Sequence, residues 1–162
     1  MPVSMKSNTS EHIGNLGDRE AREVLRRNFI GSLAYLAQGA PHVLPITYFY
    51  DEESGFLISY SSEGHKIRAM RENPAVALGV YEMDTGARWK SVMVHGSYLE
   101  LSQIDAKTYL KRFSGGIRKI LAARGVDGQA FIQDFSSKAR DGQIPLVYCI
   151  RIEDWTGKCR HS

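Results

Sequence analysis

The residues best placed to do chemistry are Ser59, Ser61, Ser62, Gly64, His65, Lys66 and Arg68, concentrated in one turn and the helix start behind it. Three hydroxyls supply hydrogen-bond donors, a glycine lets the backbone approach a ligand closely, and Lys66 is a point charge suited to phosphate oxygens. A helix N-terminus already carries partial positive charge, so His65, Lys66 and Arg68 are misplaced there unless an anion compensates them. The group reads as a phosphate cradle, with backbone N–H groups of the first helical turn as further donors. The competing reading is an ordinary helix start whose charges face water, which a lone basic turn would favour.

Elsewhere the reactive side chains are dispersed. His42 and His95 fall in strand-like stretches and His12 and His161 near the ends, without the short spacing of metal ligands, so no metal is expected. Cys149 lies in the apolar run PLVYCIRI and Cys159 in a polar tail, which predicts reduced thiols rather than a disulfide framework. No pattern of acid, base or nucleophile stands out, and no catalytic side chain is assigned. Tyr48, Phe49 and Tyr50 suit a ligand-facing surface or a core equally well. Lys107, Lys111, Arg112, Arg118, Lys119 and Arg124 lie opposite an apolar helical stripe and read as a solvated face.

The elements that must position the cradle follow from pattern and punctuation. The chain has 162 residues with 43% hydrophobic content, enough for one domain over residues 18–162 behind a Ser-, Asn- and Gly-rich segment, 1–17, expected to be flexible. Asp18 is placed to cap a helix that ends near Asn28. Strands are predicted over 31–37, 42–50, 56–60, 75–82, 89–101 and 145–153, with Pro45 near an edge and Gly96 at a bulge. The cradle helix stops at Asn73, because a residue preceding proline avoids helical geometry. A further helix over 104–123 is expected to break or kink at Ser114, Gly115 and Gly116 and to end at Gly125, and 130–135 reads as a short helix. Six strands without alternating crossover helices argue for an antiparallel barrel with helices packed outside. A net charge of +3 is too small for a nucleic-acid binder and suits small phosphorylated ligands. Without an apolar run of roughly 18 residues or an apolar leader, a cytoplasmic protein with no membrane partner is expected.

In this order the blocks resemble the pyridoxamine 5'-phosphate oxidase-like flavoproteins, the FMN-binding split barrels, closest to the nitroimidazole-reductase-like branch. The resemblance covers residues 18–160 and is carried by GSLAYLAQGAPHVLPITYFY, FLISYSSEGHKIRAMRENPAVALGVYE, WKSVMVHGSYLEL and WTGK. It implies a mainly β, antiparallel six-stranded split barrel that forms a homodimer, with FMN at the subunit interface and contacted by both chains. Carried over by position, Ser59, Tyr60, Ser61, His65 and Lys66 would hold the FMN phosphate. Pro45, Ile46, Thr47 and Tyr48 would lie along the isoalloxazine ring, and Ser91, with Trp89 more loosely, would sit near the flavin. The resemblance thus implies an FMN-dependent oxidoreductase or flavin reductase, passing electrons between a small-molecule donor, such as reduced nicotinamide, and a small-molecule acceptor. A non-catalytic flavin or heme carrier or sensor, and the deazaflavin F420 in place of FMN, are the alternatives. Two departures narrow this. Ser59 stands where nitroimidazole-reductase relatives carry a histidine, which argues against nitro reduction. The ending IRIEDWTGKCRHS lacks the arginine-rich substrate motif of true pyridoxamine phosphate oxidases, which argues against vitamin B6 oxidation.

Overall fold

Period-two alternation of apolar side chains builds most of this molecule, whose computed structural model describes residues 13–84, 87–128 and 145–161. The chain runs β1 (Ile13–Asn15), α1 (Asp18–Arg27), β2 (Ile30–Ala37), β3 (Ala40–Thr47), β4 (Phe49–Asp51), β5 (Phe56–Ser61), α2 (His65–Glu72), β6 (Ala75–Met83), β7 (Trp89–Glu100), α3 (Gln103–Ala123) and β8 (Leu146–Arg160). All strand pairs are antiparallel, in the order β3-β2-β6-β7-β8-β5-β4, with β1 added to the far end of β8. The sheet curls into a half-barrel. Its concave face buries Leu33 and Tyr35 of β2, Leu78 and Val80 of β6, and Val92 and Val94 of β7 against Val24 and Leu25 of α1 and Ile67 and Met70 of α2. A second cluster, Ile58, Phe113, Ile117, Val147 and Cys149, lies under α3.

Several details differ from the sequence expectation. The segment read as one strand over 42–50 is two, β3 and β4, with Tyr48 between them. Its backbone N–H bonds the Phe29 carbonyl at 2.8 Å, and its phenol donates to the Leu25 carbonyl at 2.9 Å. Together with β1, this makes eight strands among the described residues, where six were expected. Residues 13–15 of the expected flexible segment pair with β8, which continues to Arg160, so WTGK lies within a strand rather than beyond one. Gly157 admits this packing, since a Cβ there would approach Leu16 to 2.7 Å. The N-cap of α1 is Gly17, whereas the Asp18 carboxylate accepts from Trp155 Nε1 at 3.0 Å.

The expected break in α3 does not occur. Gly116 is instead a packing glycine, and a Cβ there would overlap the Phe49 ring. The stop at Gly125 holds, with φ of +73°. The bulge also holds: the β7–β8 register shifts between His95 and Gly96, where a Cβ would collide with the Arg151 carbonyl. Pro45 sits on the edge strand β3, where a missing N–H costs no ladder bond. The short helix expected over 130–135 lies outside the described residues. No helix among the described residues is long and apolar enough to cross a membrane.

Candidate functional site

The chain assembles a shallow cleft of about 310 Å³ from three separate parts of the sequence: Pro45, Ile46 and Thr47 at the end of β3, Tyr60, Ser61, Ser62 and Lys66 between β5 and α2, and Pro145 ahead of β8. Antiparallel pairing explains the meeting. The end of β5 lies beside the start of β8, with Ser61 opposite Leu146, and this brings Pro145 to the same rim. Tyr60 is held in place by α3, its ring edge-on to Phe113 at a centroid distance of 5.3 Å.

The electrostatics favour an anion. The first turn of α2 contains no acidic residue and its N-cap, Gly64, provides no side-chain bond, so backbone N–H groups at the positive end of the helix lack a side-chain cap where Lys66 stands. The turn leading to it is braced from outside. Arg71 bonds Glu63 at 2.6 and 3.0 Å and Glu100 at 2.8 and 2.7 Å, tying the loop before α2 to the end of β7. Those bonds from Arg71 hold the Glu100 carboxyl below its usual range. No local spacing in the sequence signals this brace.

Six of the residues expected at a site, Pro45, Ile46, Thr47, Tyr60, Ser61 and Lys66, therefore line one cleft. Five others lie elsewhere or face away. Ser59 is buried and donates to the Thr47 carbonyl at 2.7 Å, fixing the end of β3 rather than presenting a hydroxyl to the cleft. Tyr48 is wholly buried with its phenol on the Leu25 carbonyl, and burial raises its pKa well above the ordinary tyrosine value. His65 is turned to the other side of the turn, where its Nδ1 shares a hydrogen bond of 3.1 Å with Tyr35 Oη and its ring meets His42 at 5.3 Å. Ser91 and Trp89 lie on β7, three strand spacings from β3 in the sheet order, roughly 14 Å away. Ser91 stands opposite Tyr81 on the uncovered face of the sheet. Trp89 lines a separate and larger cleft. Pro145 is the cleft residue that the sequence reading missed, since only the β5–β8 pairing brings it near.

These groups fit a phosphorylated ligand. Hydroxyls and an ammonium line the cleft together with two prolines and strand backbone. Among the described residues no group of three or more His, Cys, Asp and Glu side chains could hold a metal ion.

A model of the pyridoxamine 5'-phosphate oxidase family matches residues 17–158. Among solved structures, an FAD-binding protein of Mesorhizobium loti is 29% identical with a TM-score of 0.71, over 93% of this chain and 98% of that one. An FAD and heme binding protein of Mycobacterium smegmatis is 17% identical with a TM-score of 0.68, over 94% of this chain and 75% of that one. A candidate 5-nitroimidazole antibiotic resistance protein of Bacteroides thetaiotaomicron is 16% identical with a TM-score of 0.63, over 92% of both chains. The last two likenesses concern the fold. An uncharacterized protein of Rhizobium meliloti, RA0666, is 37% identical over 82 residues, 51% of this chain and 53% of that one, so the chain spans about half the length of this curated relative.

Proposed function

Since the chain belongs to the pyridoxamine 5'-phosphate oxidase family, its residues 17–158 matching the family model, we propose that it is a flavoprotein that holds FMN at the cleft before α2 and acts as an oxidoreductase or flavin reductase. The observation that carries this reading is the convergence of Lys66, Ser61 and Ser62 at an uncapped helix start, beside the end of β3. Lys66 and the hydroxyls hold the phosphate, and the edge of β3 from Pro45 to Thr47 lies along the ring system. The bound flavin supplies the electron-accepting and electron-donating ring. The protein binds and orients it and shields one face from water. Since Ile46 and Tyr48 point into the core, β3 meets the ring through its backbone, Pro45 and Thr47.

The cleft is smaller than a whole flavin needs, and a second copy of the chain completes the site in a homodimer. Two features support this. The uncovered sheet face carries Ser32, Ala34, Ala77, Gly79 and Ser91, beside Val43, Tyr81 and Met83 at 68%, 63% and 83% exposure. Ser91 and Trp89 lie outside the lining of their own chain's cleft and are available to the flavin of a partner. Sedimentation should accordingly give twice the 18.2 kDa chain mass.

A second reading, a non-catalytic flavin carrier, is favoured by the composition of the cleft, whose lining among the described residues includes no carboxylate, imidazole or thiol. The deciding experiment is an absorbance spectrum of the purified protein, as isolated and after adding and removing FMN, followed by mass analysis of the released cofactor. Flavin bands with FMN released support the proposal, and FAD released moves the assignment to the larger flavin. A Soret band would indicate heme, and displacement of FMN by F420 would indicate the deazaflavin. Protein that retains no flavin under either condition overturns the reading. Steady turnover of reduced nicotinamide by the FMN-loaded protein separates enzyme from carrier.

A further inference from the structure

A second cavity, of about 1160 Å³, lies away from the cradle and shares none of its lining residues. It opens between the C-terminal ends of α1 and α3, the facing ends of β6 and β7, and the end of β8. Its charge is lopsided: among the described residues seven arginine and lysine side chains line it against two carboxylates. Both carboxylates are already held within the protein. Glu82 accepts from Arg27 at 3.0 and 2.9 Å and from Asn28 at 2.8 Å, and Asp84 pairs with Arg88 at 3.1 Å.

Cationic capacity is left over. Lys119 has no carboxylate partner among the described residues. Nor does Arg124, whose guanidinium is fixed in place by donating to the Arg27 carbonyl and lying over the Phe29 ring at 5.3 Å. The opposite character is present too, since Phe49 and Ile120 give the same cavity an apolar and partly aromatic lining. Fixed guanidinium groups match phosphate geometry, and a flat apolar wall favours an aromatic ring.

We propose that this cleft is a second ligand site, selective for a phosphorylated aromatic molecule of nucleotide type. The phosphate faces Lys119 and Arg124, and the base lies against Phe49 and Ile120. The proposal goes beyond flavin binding and stands or falls without it.

The test is titration calorimetry of the FMN-saturated protein with AMP, adenosine and inorganic phosphate, at low and moderate salt. The expected result is AMP binding at least ~10-fold tighter than either fragment, weakening as salt rises. Lys119→Glu, an exposed helix position whose change spares the fold, should weaken AMP by ~10-fold or more, Lys119→Arg should restore it, and neither should alter FMN retention. Adenosine binding as well as AMP, or phosphate binding as well as AMP, overturns the proposal. So does AMP that displaces FMN, or no heat of binding at millimolar AMP. If FMN is not retained at all, the same titrations on the protein as purified decide the matter for this cleft alone.

Discussion

Replacing Lys66 by alanine separates a phosphate cradle from a solvated helix start. In the structure Lys66 is partly buried, lines the cleft with Ser61 and Ser62, and stands in the first turn of a helix whose N-cap provides no side-chain bond. A charge-assisted bond to phosphate is worth about 1.5–3 kcal/mol, and partial solvent exposure places Lys66 toward the lower end, about 1.5–2 kcal/mol. At about 1.4 kcal/mol per decade, FMN affinity should fall about 10- to 30-fold. Riboflavin shares the ring and ribityl chain but lacks the phosphate, so its affinity for the two proteins should be equal. Fluorescence titration of both flavins against Lys66→Ala and the parent protein gives the full cycle, and added salt should narrow the FMN difference. Alanine is the better helix former, so the variant should fold as the parent does. Equal losses for FMN and riboflavin, or no loss for either, would refute a phosphate contact at Lys66.

Three further outcomes follow from the geometry. Tyr48→Phe should lower stability by about 1–3 kcal/mol in chemical denaturation, because it strands the buried Leu25 carbonyl. It should leave FMN affinity unchanged, and a large loss of affinity would return that phenol to the site. Gly116→Ala should cost about 1–3 kcal/mol, since the Phe49 ring must move, whereas Gly96→Ala should cost more, since the obstacle is the Arg151 backbone. Calorimetric Tm values that do not rank the two in that order would contradict the packing. Burial alone would raise the Glu82 carboxyl, but the bonds from Arg27 and Asn28 outweigh it and hold the group below its usual range. Its stabilisation is therefore present above the unfolded carboxylate pKa and is lost as pH falls through the folded one. Glu82→Gln should be about 1 kcal/mol less stable than the parent at pH 7, with the gap closing below about pH 4. A gap independent of pH would exclude the ionised pair as its source.

Local chemistry determined much of this protein before any contact was known. The serine-rich turn, the cations at the start of α2, the stop before Pro74 and the period-two runs of β2, β6 and β7 are each properties of neighbouring residues. Their order carried the family resemblance, and with it the cleft end of β3. Tertiary structure decided which of the named side chains face the cleft. Strand residues alternate between two faces, so a side chain's direction depends on register against partners distant in sequence. The Tyr48 phenol turns inward to a carbonyl of α1. Ser59 turns to the end of β3, and His65 turns to Tyr35. Gly116 looked like a helix break because its missing Cβ is a local fact, while the Phe49 ring that needs the space belongs to another element. Pro145 and the Arg71 brace were likewise out of reach, since β5–β8 pairing and the Glu63–Arg71–Glu100 network join residues that only the folded sheet brings together.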